Sequence, residues 1–131
     1  MTRVVLLWER QQLKNKRVVG KIWEEKVIKF LIKENLEILG KNFYGKNGEI
    51  DIIVLDKNTM VFVEVKYRKD QQYGNAEEAI NKRKMKRMYL TAQEYIWKKN
   101  WTGQTRFDIV AITKNNINWI KNSFWGDEIG I

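Results

Sequence analysis

Gly48-Glu49-Ile50-Asp51-Ile52-Ile53-Val54-Leu55 and Met60-Val61-Phe62-Val63-Glu64-Val65-Lys66 are the two stretches whose reading decides the fold. Both are rich in β-branched and aromatic residues, and Asp56-Lys57-Asn58-Thr59 between them has turn composition, so together they predict a β-hairpin. With those four residues as the loop, Leu55 faces Met60, Val54 faces Val61, Asp51 faces Glu64 and Glu49 faces Lys66. Opposed residues of an antiparallel pair share a face with Cβ atoms about 5 Å apart, and residues two apart in one strand share it too. This register gathers Glu49, Asp51, Glu64 and Lys66 on one side of the hairpin. The other side is apolar, with Ile50, Ile52, Val54, Val61, Val63 and Val65. A slip of one residue would send Asp51 to the apolar side.

Carboxylates held that close repel unless positive charge lies between them, and their oxygens suit a hard cation such as Mg²⁺. Two arrangements answer this pattern. One is a divalent-cation site; the other is a solvated strand face whose acids pair with Lys66 and other lysines.

With 131 residues, 44% hydrophobic and 31% charged, the chain fits one domain with a sizeable core. It contains neither cysteine nor histidine. Thiol nucleophiles, disulfides, serine-histidine triads, histidine bases and ordinary zinc sites are thereby excluded, which leaves carboxylates, lysine, tyrosine, hydroxyls or an oxygen-ligated metal to carry any catalysis. Twenty-five basic residues against sixteen acidic ones give a formal charge of +9, which favours a polyanionic partner, nucleic acid first. The apolar start, residues 4–8, is too short for a signal-peptide core, and no run approaches a membrane span. A cytoplasmic protein without membrane attachment is expected.

Residues 1–19 combine an apolar start with the basic run Lys14-Asn15-Lys16-Arg17, and read either as a helix or as a loose arm. From residue 20 to 34 the apolar positions Trp23, Val27, Ile28, Phe30 and Leu31 recur at helical spacing, with Asn35 as a left-handed cap. Glu24 lies three, four and seven residues before Val27, Ile28 and Leu31, and so rides on or beside the buried stripe, while Glu25 is more exposed. A carboxylate there either pairs or binds a cation, or packs its stem and lets its head reach water. Leu36-Glu37-Ile38-Leu39 predicts a strand, and Gly40, Asn42, Gly45, Asn47 and Gly48 predict turns after it.

Beyond the hairpin, residues 67–75 read as a polar loop, Asn75-Ala76-Glu77-Glu78 as a capping box, and Asn81 as the cap of a second helix. Its inner stripe is expected at Met85, Met88, Ala92, Ile96 and Lys99. Lys82, Arg83, Lys84, Lys86 and Arg87 crowd its first turns, as a phosphate-contacting surface or a solubilising face. Residues 107–112 and 117–120 predict two further strands around a turn at residues 113–116, and Phe124 and Trp125 add aromatic bulk to the tail. The order α-β-β-β-α-β-β implies an α/β fold with a mixed sheet flanked by helices.

Helix-borne Glu24, then Asp51, then Glu64-Val65-Lys66 resemble the signature of the restriction-endonuclease-like PD-(D/E)XK nucleases. More closely, the chain resembles the YraN family of uncharacterised bacterial proteins, related to Holliday-junction resolvases within that superfamily. The matching segments are Gly20-Lys21-Ile22-Trp23-Glu24, Gly48-Glu49-Ile50-Asp51-Ile52-Ile53, Val61-Phe62-Val63-Glu64-Val65-Lys66 with Arg68, Glu78-Ala79-Ile80, Lys84, and Arg106-Phe107-Asp108-Ile109-Val110. The resemblance thus covers an endonuclease-like domain at residues 20–131, with 1–19 as an extension outside it. Departures are Trp23, where the family usually has glycine, Tyr67 in place of threonine, and Lys82 where proline is common.

The resemblance implies that Asp51, Glu64 and Glu24 ligate Mg²⁺ or Mn²⁺, and that Lys66 orients or deprotonates the attacking water. Glu49 becomes a partner of Lys66. Arg68, Lys84 and Arg106 become phosphate binders, with a salt bridge to Asp108 as the other reading of Arg106. A metal-dependent nuclease acting on DNA, branched or damaged, follows, with DNA placed ahead of RNA. The alternative is a nucleic-acid-binding module of the same fold that does not cleave. Junction-cutting relatives work as dimers, and six tryptophans could serve either a homodimer interface or the core.

Overall fold

The computed structural model describes residues 3–68, 82–113 and 116–123, with side chains from residue 18 onward except that of residue 68. Seven elements follow in chain order: α1 (Arg3–Lys33), β1 (Glu37–Gly45), β2 (Gly48–Asp56), β3 (Thr59–Arg68), α2 (Lys82–Lys98), β4 (Gln104–Thr113) and β5 (Asn116–Ile120). This is the expected order. The strands form one sheet in the order β1-β2-β3-β4-β5, antiparallel throughout except for the parallel pair β3 and β4. Parallel neighbours need a long crossover, and the chain between β3 and β4 carries α2.

Along β3 the apolar run splits by alternation into two cores. Val61 and Val63, with Ile52 and Val54, pack against Val27 and Leu31 of α1 and Val110 and Ile112 of β4. Met60 and Phe62, with Ile53, pack against Met88, Ala92 and Tyr95 of α2. A helix thus covers each face, and the central strands read as nearly continuous hydrophobic runs because both their faces are buried. The hairpin register holds where it is paired, with Val54 opposite Val61 and Leu55 opposite Met60. Its turn is tighter than expected: Asp56 and Thr59 pair as strand residues, leaving Lys57-Asn58, with Lys57 at φ 57°. Ile50 also departs from expectation, packing with the α2 core rather than with Ile52. Paired positions between β2 and β3 end at Ile52 opposite Val63, so the pleat of the hairpin no longer dictates the side that Ile50 takes.

Between the two readings of residues 1–19, the structure realises the helix. α1 starts at Arg3 and runs without a break through Gly20, where an added Cβ would meet nothing within 4 Å. Its end is a Schellman motif: Leu36 N donates to Leu31 O at 3.1 Å and Asn35 N to Ile32 O at 3.0 Å, around Asn35 at φ 68°. Leu31 and Leu36 are both buried there, so the cap also starts the α1 core. The glycines and asparagines after Leu39 do not break the chain as expected. β1 absorbs Gly40 and Asn42 with a register shift between Ile38 and Gly40, which an edge strand tolerates, and turns only at Lys46-Asn47.

On α2 the buried residues are Met88, Thr91, Ala92 and Tyr95, with Met85 and Ile96 packed at the margin. Lys99 lies past the end of the helix and is exposed; its place on the stripe is taken by Tyr95. The capping box at residues 75–78, Asn81, most of the loop at 67–75, residues 114–115 of the last turn, and the aromatics Phe124 and Trp125 lie outside the described residues.

Asp108, fully buried on β4, ties the far end of the sheet together. It accepts from Arg106 Nε and Nη2 at 2.9 and 3.0 Å, from Trp119 Nε1 at 2.9 Å and from Asn122 N at 3.1 Å. Both oxygens of this buried carboxylate are thereby satisfied. Replacing Asp108→Ala leaves four N–H groups of three residues without this acceptor, and urea unfolding is expected to register a loss of about 3 kcal/mol. A loss under about 1 kcal/mol would show that water or Asp56 takes over these bonds.

Candidate metal centre

Past the Ile52 and Val63 pair, a side chain takes over from the ladder between β2 and β3. Asp51 Oδ2 accepts a hydrogen bond from Val65 N at 2.9 Å, a bond that a peptide carbonyl of β2 would otherwise accept. The carboxylate is therefore fixed at the fork of the hairpin by the same backbone that makes the sheet. Glu49, Asp51 and Glu64 line a cavity of about 240 Å³ with Gly48 and, from the α2 side, Lys84, Arg87 and Met88.

Glu24 reaches this cluster from α1. Carboxylate oxygens of Glu24, Glu49 and Asp51 all lie within 4.8 Å of one another, a spacing suited to one shared cation among the described residues. Glu64, 2% exposed, stands beside this triad, and its charge bears on the Asp51 carboxyl. It is held by two lysines: Lys84 Nζ forms an ion pair with Oε1, and Lys66 Nζ lies 3.7 Å from the same oxygen.

The protonation of the site follows from this crowding. Burial, then the negative charge of Glu64, pushes Asp51 up to about 8, against the Val65 N–H that favours its ionised form. Glu49 is raised as well, by burial and then by the charges of Glu24 and Glu64. For Lys84, burial opposes the charge, but the hydrogen bond and charge of Glu64 outweigh it and raise the ammonium's pKa. Two lysines therefore leave carboxylate charge uncompensated, and the donors are all hard oxygens. Mg²⁺ or Mn²⁺ fits such a set by charge and by chemistry.

Of the residues singled out in the sequence, Glu24, Glu49, Asp51, Glu64 and Lys66 come together here. Two placements differ from expectation. Glu49 belongs to the tightest carboxylate triad rather than standing behind it as a partner of Lys66, while Glu64 is engaged by lysines. Lys84 turns inward onto Glu64 rather than outward with the basic cluster, and Arg87 reaches the rim of the cavity. Lys82, Arg83 and Lys86 are exposed. The side chain of Arg68 lies outside the described residues. Arg106 realises the salt-bridge reading: 14% exposed, it pairs with Asp108 and, at 3.0 Å, with Asp56. Trp23 and Tyr67, the two departures from the resembled pattern that flank Glu24 and Lys66 in sequence, stack on each other at 5.2 Å.

A mixed five-stranded sheet between two helices, with carboxylates and lysines at the fork of a hairpin, defines an α/β protein with a nuclease-like core. Residues 23–112 match the Uncharacterised protein family UPF0102, and the chain belongs to that family. Its relatives include UPF0102 proteins of Fusobacterium nucleatum subsp. nucleatum, 39% identical over 88% of this chain and 98% of the relative, and of Pseudoalteromonas translucida, 40% identical over 89% and 98%. Another, from Francisella tularensis subsp. novicida, is 44% identical over 81% and 93%. The resemblance to an uncharacterised bacterial family is thereby borne out. Among the described residues no helix is long and apolar enough to cross a membrane.

The raised pKa of Asp51 makes a prediction for the metal-free protein. The native state holds this proton up to about pH 8, whereas an unfolded aspartate releases it near pH 4, so the contribution is present at low pH and lost as pH rises through about 8. Thermal melts in EDTA are expected to fall between pH 5 and 9, and Asp51→Asn, which keeps an oxygen for Val65 N, to flatten that slope. An identical slope in the variant would place the charge conflict elsewhere.

Proposed function

We propose that the chain is a divalent-metal-dependent nuclease that hydrolyses phosphodiester bonds in DNA and works in the cytoplasm. The observation that carries this reading is the convergence of Glu24, Glu49 and Asp51 from a helix and a strand onto one point, with Lys66 and Lys84 beside them, on a chain whose formal charge is +9. A basic protein that concentrates acids at one half-buried fork is arranged for a cation there and a polyanion around it. Similarity to the PD-(D/E)XK signature supports the same class.

Glu24, Glu49 and Asp51 would hold the ion, and Glu64 would complete the set from the wall of the same cavity. A bound Mg²⁺ or Mn²⁺ supplies Lewis acidity, neutralising phosphate oxygens and lowering the pKa of a water. Lys84 stays charged against Glu64, which suits it to face the negative charge that develops on phosphorus rather than to accept a proton. Lys66 would orient the attacking water, and Arg87 at the rim would meet a phosphate next to the scissile one.

A second reading has one observation in its favour. Lys66 and Lys84 already engage Glu64, as in a lysine-bridged surface that needs no metal, and the chain would then be a non-catalytic nucleic-acid-binding module. Titration calorimetry with Mn²⁺ separates the two, since the module has no reason to take up the ion in an Asp51-dependent manner. Purified protein with Mn²⁺ is expected to cut duplex, branched or single-stranded DNA, EDTA to stop it, and Asp51→Ala or Lys66→Ala to slow it by about a thousandfold. Undiminished cleavage in both variants rejects this site as the nuclease centre.

A further inference from the structure

From the acidic cavity, a run of open surface follows the flank between α2 and the turn joining β1 to β2. A second cavity of about 380 Å³ shares Asn47 with the first, and a third of about 430 Å³ shares Lys98 with the second. Beyond Arg87 at the rim of the acidic cavity, four basic residues line the second and third cavities, Lys46, Lys98, Lys99 and Lys41. Their one acid, Glu94, accepts from Lys46 N at 3.0 Å and so holds the turn in place.

Two aromatic side chains stand exposed along it. Trp97, 79% exposed, lines the second cavity, and Tyr44, 71% exposed, lines the third. Neither belongs to a core cluster. Exposed tryptophan and tyrosine on a soluble face lose hydration free energy for no packing in return, unless something stacks on them. Beneath them the floor is firm: Phe43 meets Tyr95 edge-on at 5.0 Å, and Lys98 and Lys99 sit over those two rings at 5.6 and 5.7 Å.

Ammonium groups spaced between open aromatic faces match the chemistry of an unpaired nucleic-acid strand. The backbone follows the positive charge and the bases stack on the rings. A duplex keeps its base faces to itself and would use only the lysines. We propose that this flank is a track for single-stranded DNA leading to the acidic pocket, so that the preferred substrate carries an unpaired segment. The proposal rests on the nuclease reading for the identity of the strand, but binding to the track needs no metal.

The test is fluorescence anisotropy of a labelled oligothymidylate in EDTA with the full chain. Trp97→Ala and Tyr44→Ala are each expected to weaken binding about tenfold, and Trp97→Phe to retain most of the affinity, because a ring remains to stack on. Lys98→Gln with Lys99→Gln is expected to reduce the salt slope by about one to two units. Since both aromatic side chains project from the surface, circular dichroism of the variants should match that of the parent. Equal affinity in parent and both alanine variants overturns the track, as does tighter binding of a duplex of the same length or of oligouridylate. Mn²⁺ calorimetry on the parent and Asp51→Ala reports on the pocket alone. Loss of the track with Asp51-dependent Mn²⁺ uptake intact leaves the nuclease reading standing, and the reverse outcome removes that reading while the track remains.

Discussion

A carboxylate occupies a place in the sheet that a peptide carbonyl would otherwise hold. Because Asp51 Oδ2 accepts from Val65 N, β2 and β3 stop pairing as strands at Ile52 and Val63 without leaving a buried donor unsatisfied. The fork so created is what admits Glu49 and Glu64 to a common cavity and lets Glu24 approach from the helix on the opposite face. Each further feature of the site inherits its position from this one bond. The strands on either side need no special geometry, since ordinary hydrophobic alternation anchors them above and below the sheet.

Two acids in this fold, Asp108 fully buried and Asp51 half-buried, meet opposite fates. Asp108 is surrounded by donors, Arg106 twice, Trp119 and a backbone amide, and serves as a clasp between β4 and the chain after β5. Asp51 has one backbone donor and three acidic neighbours, and its pKa climbs instead. The first environment is that of a satisfied structural ion pair; the second keeps charge in deficit. This local imbalance, in a fold that satisfies Asp108 fully, is what the proposed cation site rests on.

The basic character of the chain acts at two ranges. Near the fork, Lys66 and Lys84 engage Glu64 and limit how far the acids repel one another. Farther out, Arg87, Lys46, Lys98, Lys99 and Lys41 line the cavities on the flank beside α2. Interleaving with Trp97 and Tyr44 distinguishes this flank from a merely soluble surface, because lysines alone would serve solubility without exposed rings.

Much of this was legible in the residues. Period-two alternation around the turn at Lys57-Asn58 set the hairpin register, since a slip would have buried Asp51 among valines, and the helical spacing of Trp23, Val27 and Leu31 put Glu24 at the margin of the α1 core. What spacing could not convey was anything dependent on how elements dock. The side of the sheet that Ile50 takes, the inward turn of Lys84 out of a uniformly basic run, and the choice of Asp108 and Asp56 over a phosphate by Arg106 follow from packing between elements distant in sequence. The chain by itself determined which residues share a strand face or helix stripe, because those periods are local properties of the backbone. Only the tertiary structure decided that Glu49 joins Glu24 and Asp51 in the tight triad, because the gap that lets two layers meet opens where one side chain replaces one ladder bond.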